Sequence, residues 1–265
     1  MQIMHNGHLI SAEHAVVPLF SNTVQYGHGV STTLRSYPPG GLFRAGQHVQ
    51  RLLENAKAVG LDVAPAAETL LQWLDMLLAA EAEAHPGPLR VKLMVIAEGV
   101  VGMAAPLVIK PEIYQGVRLL SVPQIRAFPE VKPLAYLDSF LPHQQAVAAG
   151  YYDALLVNIL GQATEGAYSN IFWFEGNTLC TPGNQVLPGI TRQAVLELAP
   201  FPLDFVMRTP QQLAQADEVF LTQTTAGVVP VVGLDDQPIG NGTPGPHTQK
   251  LMGLFHALVA KETQA

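Results

Sequence analysis

Cysteine, basic residues and long apolar runs are all scarce in this sequence. One cysteine, Cys180, occurs in 265 residues, which excludes an internal disulfide and favours a reducing compartment. Lysine and arginine number 14 against 21 acidic residues, and a net charge of -7 argues against a non-specific nucleic-acid or anionic-membrane surface. No run reaches the ~18 apolar residues of a membrane span, and the start resembles no signal peptide. We therefore expect a cytoplasmic protein with no nucleic-acid or membrane partner.

Several common catalytic signatures are also missing. The run GHGVST at 27–32 lacks the third glycine of a dinucleotide fingerprint, and there is neither a phosphate-binding loop ending in Gly-Lys-Ser/Thr nor a Gly-x-Ser-x-Gly elbow. His5 and His8 have a His-x-x-His spacing, but no cysteine accompanies them and the turn between them explains both as surface residues. We predict no metal site.

The first half of the chain alternates strand-like and helix-like segments. Asn6-Gly7 between apolar pairs predicts a hairpin, and VSTTLRSY, LRVKLMVIA and APLVIK are typical of strands. Apolar residues recur at helical spacing from Gln47 to Val59, and a second helix is predicted over about 66–83. The first half is therefore predicted to be an α/β domain.

Three prolines in SVPQIRAFPEVKP indicate an irregular connector before the second half. Beyond it the pattern predicts helices over about 136–150, from near Thr191 and after PGPHT, with the strands ALLVNIL, EVFLTQT and GVVPVV among them. The predicted organisation is an N-terminal domain over 1–115, a connector over 116–133 and a C-terminal domain over 134–265.

Three stretches of the second half carry polar groups that need an explanation. ATEGAYSNIFWF places the acid Glu165 and the amide Asn170 in a run typical of a buried strand. LPGITRQAV passes through a glycine turn into a helix, so Thr191 and the free N–H groups there suit an anion. VKPLAYL presents Lys132 just before a helix. Taken singly, each has an ordinary alternative: an acid beside a turn, a capped helix and an exposed loop lysine.

In this order the stretches resemble the class IV aminotransferases, the fold-type IV enzymes that use pyridoxal phosphate. The most specific part runs from Glu165 through Asn170, LCTP and LPGIT to Arg192. The segments QYGHGV, FRAGQHVQRLLENAKAVG, ADEVFLTQTTAGVVPV and IGNGTPGPHTQKL extend the resemblance over nearly the whole chain. It implies an α/β fold of the α+β type in two domains, each a mixed sheet with helices. It also implies pyridoxal 5'-phosphate as cofactor and a homodimer.

The resemblance implies a role for individual residues. Lys132 becomes the Schiff-base lysine, which needs an amine that can lose its proton, and Glu165 the carboxylate facing the pyridine nitrogen. Arg51, in HVQRL, pairs with the cofactor phosphate. The other implied cofactor contacts are Tyr136 at the phenolic oxygen, Leu187 at the ring face, and Ile190, Thr191 and Thr224 at the phosphate. Candidates for substrate contacts are Tyr26, His28, Arg35, Arg90 and Thr225, with Arg126 a further arginine for a substrate carboxylate.

Sequence features that bear on the reaction favour different branches of the family. In GHGVSTTLR, His28 and Thr32 stand where many transaminases carry acids, and the Thr-Thr pair is similar to that of some lyases. The predicted loop AEGVVGMAAP lacks an arginine often found there, whereas LPGIT and IGNGTPGPHTQKL resemble transaminases. We predict an amino-acid transaminase acting on an amino acid and a 2-keto acid. The alternatives are 4-amino-4-deoxychorismate lyase, which releases pyruvate and 4-aminobenzoate, and a non-catalytic homologue.

Overall fold

A computed structural model describes residues 2–39, 41–82 and 84–263. The chain folds as two compact units. The first takes in the chain up to Val108, the segment Val131–Tyr136 and the end of the chain from Val259, and the second takes in Ile109–Glu130 and Leu137–Leu258. Both units combine a sheet with helices, so the predicted α/β fold class is confirmed. The second unit's sheet is mixed, as predicted, but the first unit's sheet is antiparallel throughout, so the prediction of a mixed sheet in each domain is wrong there.

The first unit is built on an antiparallel sheet of five strands in the order β2-β1-β5-β4-β3. Its strands are β1 (Gln2–His5), β2 (His8–Ser11), β3 (Gly29–Arg35), β4 (Leu89–Ile96) and β5 (Gly99–Pro106). Its helices are α1 (Asn22–Tyr26), α2 (Ala45–Ala58) and α3 (Ala67–Ala82). β1 and β2 form the predicted hairpin, since Asn6 and Gly7 both take positive φ.

One face of this sheet forms a core with α2 and α3. Val30 and Leu34 of β3 are fully buried there with Val49 and Leu52 of α2. Because side chains alternate along a strand, Thr32 lies on this same face, directed at α2. α2 also buries three polar residues, at a helical spacing that places them on one side of the helix: His48, Arg51 and Asn55.

The segment Val131–Tyr136 runs along the outer side of β3. The Ser31 N–H donates to the Lys132 carbonyl at 2.9 Å, and the Leu134 N–H donates to the Gly29 carbonyl at 2.8 Å. The Lys132 N–H donates to Asn55 Oδ1 of α2 at 2.8 Å. Lys132 is therefore fixed at its main chain by a strand on one side and a helix on the other.

The second unit has a nine-stranded sheet, in the order β11-β10-β9-β12-β13-β6-β7-β8 with β14 paired to β13. Its strands are β6 (Val117–Pro123), β7 (Asp153–Val157), β8 (Ala163–Gly166), β9 (Asn170–Glu175), β10 (Thr178–Thr181), β11 (Leu203–Phe205), β12 (Glu218–Gln223), β13 (Gly227–Leu234) and β14 (Gln237–Pro238). Its helices are α4 (Leu137–Ala148), α5 (Ile190–Leu198), α6 (Pro210–Leu213) and α7 (Pro246–Thr263), whose last residues from Val259 belong to the first unit. Strands β9 and β12 bring Phe172, Phe174 and Phe220 into the interior, where the rings of Phe172 and Phe220 stack.

Two segments differ from the sequence prediction. AEGVVGMAAP is not a loop but contains β5, which pairs with β4 residue by residue from Leu89↔Pro106 to Ile96↔Gly99. The tight hairpin imposes this register, although glycine and alanine favour strands weakly. The range 116–133 is predicted to be a connector, but it contains β6, which pairs in parallel with β7 and β13. The prolines stand at its end and beyond it, where no ladder hydrogen bond is lost.

Within the described ranges, no helix is both long enough and apolar enough to cross a membrane.

Candidate active site

The Lys132 amine lies beside a tyrosine hydroxyl. Lys132 Nζ donates to the Tyr136 hydroxyl at 3.1 Å and stands 4.9 Å from the centre of that ring. Both side chains are half-buried. Tyr136 follows by four residues along a segment fixed at both the Lys132 carbonyl and the Lys132 N–H. The amine is thus held on a rigid piece of backbone instead of moving on an exposed loop.

Positive charges gather near this amine. Burial lowers the pKa of His48 well below its usual range, and the charges of Arg51 and Lys132 lower it further. The pKa of Lys92, which is half-buried on β4, is lowered by burial, then by the charges of Lys132 and Arg90. Repulsion between like charges is mutual, so the cluster favours loss of a proton from one of its amines.

Arg51 is buried on α2. It is 8% exposed, and its Nη2 donates to Thr32 Oγ1 on β3 at 3.2 Å. The same hydroxyl lies 2.8 Å from His48 Nδ1, one turn earlier on α2. The three side chains form one connected polar group inside the first unit's core.

Glu165 has three polar partners within the second unit. Arg126 Nη1 donates to its Oε1 at 2.6 Å, and both side chains are 5% exposed. Asn170 Nδ2 and the Leu187 N–H donate to its Oε2 at 3.2 and 3.0 Å. A buried carboxylate that accepts hydrogen bonds from a cation and two N–H groups is stabilised in its ionised form.

Asn170 links this carboxylate to the loop before α5. Its Nδ2 also donates to the Leu187 carbonyl at 2.9 Å. A Cβ at Gly189 would collide with Asn170 Oδ1, so a larger residue there would displace the Asn170 side chain. Asn170 thereby fixes the LPGIT turn.

The bend between β8 and β9 is held by an acid that sequence analysis did not single out. Asp153 accepts hydrogen bonds from His143 Nδ1 at 2.9 Å, and from the Tyr168 N–H and the Ser169 hydroxyl at 3.3 Å each. Because the bend separates Glu165 from Asn170, Asp153 sets the distance at which these two residues meet.

The N-terminus of α5 presents N–H groups without a side-chain cap. Gly189 is the N-cap and makes no side-chain hydrogen bond, and Ile190 and Thr191 behind it are buried. The first N–H groups of a helix have no partner within the helix, and its dipole favours an anion there. Thr224 and Thr225, both half-buried, lie in the turn between β12 and β13 of the same unit.

The predicted substrate residues of the first unit lie in diverse settings. Tyr26 is 71% exposed at the end of α1, and Arg90 is exposed on β4 opposite Arg35. The Arg35 guanidinium lies 4.4 Å from the ring centre of Tyr37. His28 Nε2 donates to the Val59 carbonyl at 2.8 Å, which closes the end of α2. Arg35 and Arg90 are therefore neighbours across β3 and β4, and the substrate roles of all four residues remain predictions.

Sequence analysis missed three contributors to these networks. Arg126 was considered for a substrate carboxylate but pairs with Glu165, and neither Asn55 nor His48 was assigned a role. His48 stands in the quoted segment HVQRL, so its position three residues before Arg51 was the available signal. Among the described residues, no group of three or more histidine, cysteine and acidic side chains could hold a metal ion.

Comparison with known proteins identifies the family. The family model described as amino-transferase class IV matches residues 29–234. A D-alanine aminotransferase of Bacillus licheniformis is 30% identical, covering 99% of both chains, and the branched-chain-amino-acid aminotransferase of Escherichia coli K12 is 28% identical over 99% of this chain and 94% of its own. The crystal structure of the branched-chain aminotransferase from the archaeon Thermoproteus uzoniensis with norvaline superposes with a TM-score of 0.88 at 29% identity, covering 99% of this chain and 95% of its own. The fold, the matched range and these relatives together place this chain in the class IV aminotransferase family.

Proposed function

We propose that this enzyme is an aminotransferase that uses pyridoxal phosphate bound through Lys132 to move an amino group between an amino acid and a 2-keto acid. The observation that carries the proposal is the setting of Lys132. Its main chain is fixed by Ser31 and Asn55, and its amine is paired with the Tyr136 hydroxyl. A lysine that only solubilises the surface needs neither constraint.

The residues present fit the chemistry of pyridoxal phosphate. Arg51 and the bare N-terminus of α5 are donors suited to a phosphate. Glu165 is an ionised acceptor suited to a protonated ring nitrogen, and Lys132 supplies the amine that a Schiff base requires. When bound, the cofactor supplies the electron sink that lets the Cα of an amino acid release its proton.

Lys132 is proposed to move that proton. Its Nζ must be neutral to accept a proton from Cα, and the repulsion between the charges of Lys92 and Lys132 favours a neutral amine at one of the two. The Tyr136 hydroxyl, 3.1 Å away, holds the amine in one orientation. Lys132 and Tyr136 together can accept the proton from Cα and deliver it to a second carbon atom.

Glu165 is proposed to keep a cationic ring nitrogen protonated. Its Oε1 accepts from Arg126 and its Oε2 accepts from Asn170 and Leu187, so the carboxylate is held rigidly and charged. Such a pre-oriented charge needs no reorganisation when the substrate reacts. The buried acid in ATEGAYSNIFWF thereby acquires a reason to be there.

We also propose a homodimer. Large apolar side chains are exposed along the segment before α1, with Val16 at 78%, Leu19 at 71% and Phe20 at 86%. Contiguous exposed apolar surface supports an interface between proteins. Sedimentation equilibrium would give the mass of one chain if this proposal is wrong.

The visible spectrum tests the reaction. Purified protein loaded with pyridoxal phosphate is mixed with L- and D-amino acids one at a time, and conversion of the absorption band to that of pyridoxamine phosphate is followed. Conversion by one amino acid supports the transaminase and identifies its donor class and handedness. A band that no amino acid changes contradicts it, and release of pyruvate from aminodeoxychorismate would then establish the lyase.

A further inference from the structure

We propose that Thr32 and His48 are positioning residues that orient the Arg51 guanidinium toward the phosphate of pyridoxal phosphate without neutralising its charge. The inference rests on the proposed function, since it assumes that Arg51 binds that phosphate. It adds that phosphate affinity depends on a buried hydroxyl on β3 and on the imidazole behind it.

The geometry is that of a chain of two hydrogen bonds. Arg51 Nη2 lies 3.2 Å from Thr32 Oγ1, which lies 2.8 Å from His48 Nδ1. All three side chains are buried, at 8%, 0% and 1% exposure. Arg51 and His48 extend from one side of α2, and Thr32 meets them from the sheet face that α2 covers.

The direction of each hydrogen bond follows from the donors available. A guanidinium can only donate, so Thr32 Oγ1 accepts from Arg51. The hydroxyl hydrogen must then find an acceptor, and among the described residues His48 Nδ1 is the one within reach of Thr32. Thr32 therefore donates to His48, whose Nδ1 must carry no proton. A neutral imidazole agrees with the burial and the two nearby cations that lower the pKa of His48.

This relay holds one edge of a cation with neutral partners. A carboxylate in place of Thr32 would also hold Arg51, but it would cancel much of its charge in a buried setting. A hydroxyl and a neutral imidazole leave that charge for an anion. They also fix the rotation of the guanidinium before any phosphate binds, so Arg51 loses less conformational entropy on binding.

The test compares two cofactor forms that differ by the phosphate. Dissociation constants of pyridoxal phosphate and pyridoxal are measured spectroscopically for the wild type, Thr32→Val and Thr32→Ser. Valine keeps the shape and removes the hydroxyl, whereas serine keeps the hydroxyl. We expect Thr32→Val to weaken pyridoxal phosphate binding by roughly tenfold or more, as for loss of a hydrogen bond to a charged group. Pyridoxal binding should stay near wild type, and Thr32→Ser should keep most of the phosphate advantage.

A second pair of variants keeps the test valid if a Thr32 variant fails to fold. His48→Asn keeps an acceptor near the position of Nδ1, and His48→Leu removes it, so only the leucine variant should lose phosphate advantage. Stabilisation of each cofactor-free variant by inorganic phosphate, measured by thermal unfolding, should follow the same order.

The outcomes separate the two proposals. An unchanged ratio of the two dissociation constants in both Thr32→Val and His48→Leu overturns the positioning role, as does equal loss in Thr32→Ser and Thr32→Val. A wild type that binds both forms equally overturns the cofactor assignment, and the positioning role with it.

Discussion

The two units treat buried charge in opposite ways. In the second unit the Arg126 guanidinium meets the Glu165 carboxylate at 2.6 Å, so opposite charges compensate each other. In the first unit the Arg51 guanidinium donates to a threonine hydroxyl. Burial and then the charges of Arg51 and Lys132 lower the pKa of His48, and burial and then the charges of Lys132 and Arg90 lower the pKa of Lys92. One region is electrically balanced, and the other concentrates charge of one sign.

This difference in charge separates residues that affect stability from residues that affect cofactor binding. Removing one partner of a balanced buried pair destabilises its unit, because the other charge is left uncompensated, whereas a cationic cluster is costly until an anion binds. We infer that losses in the second unit's pair are felt first as stability, and losses in the first unit's cluster first as cofactor binding and turnover.

The largest effect should come from Lys132→Ala. Turnover should fall by about 10³-fold or more, because the group that we propose to move the proton is gone. Stability should be unchanged or slightly raised, since one positive charge leaves a repulsive cluster. Steady-state kinetics and urea unfolding measure the two. Lys57→Ala, on the exposed side of α2, is the matched control, and wild-type turnover by Lys132→Ala would contradict the assignment.

Arg126→Ala should reduce stability the most. It leaves the buried Glu165 carboxylate without its cation, at a cost of about 3–5 kcal/mol in the free energy of unfolding. Arg208→Ala provides the control, because Arg208 pairs with Glu175 at a solvent-exposed site and its loss should cost about 0–1 kcal/mol. Chemical denaturation gives both values. Equal losses in the two variants would show that burial does not distinguish the pairs.

Glu165→Gln tests whether the Arg126–Glu165 ion pair also contributes to the reaction. The amide keeps the shape but not the charge, so the reaction with an amino acid should slow by about 10²-fold, while pyridoxal phosphate stays bound. Stopped-flow absorbance measures the rate, and Glu175→Gln on β9 is the exposed control. An unchanged rate would make Glu165 a purely structural residue.

The smallest expected effect is a loss of the first unit's stability at acidic pH. His48 has an ordinary pKa near 6.5 when unfolded and a much lower pKa when folded, so below pH ~6.5 the unfolded chain binds more protons. Stability is therefore complete above pH ~6.5 and declines on acidification, by at most about 1.4 kcal/mol per pH unit from this group. His48→Asn should flatten the decline in urea unfolding between pH 7 and 5, and His8→Asn, at an exposed position of β2, is the matched control.

Local pattern was enough to predict the elements that carry much of the candidate site. Helical periodicity predicted α2, which holds Arg51, and the glycine turn before Thr191 predicted the start of α5. The resemblance then assigned roles to Lys132 and Glu165 that no periodicity could give. The family model over residues 29–234 and the superposition over 99% of this chain confirmed the family membership and the two-sheet α/β fold.

Pairings across long stretches of chain escaped the sequence analysis. Arg126 and Glu165 are 39 residues apart, and nothing local to the segment around Arg126 indicates an acid opposite it. Thr32 and His48 meet because a strand face and a helix side are packed together, which neither segment specifies alone. The β5 strand was missed for a related reason, since its partner β4 and not its own glycines and alanines determines its conformation.

The discontinuous first unit has a consequence for how the protein is made. β3 leaves the ribosome before Val131–Tyr136, so its outer side stays unpaired until that segment emerges. Arg44 pairs with Glu262, 218 residues further along the chain, only after that stretch has been made. An unpaired edge strand is a site for misassembly. The nascent chain therefore exposes one open strand edge until the segment bearing Lys132 closes it.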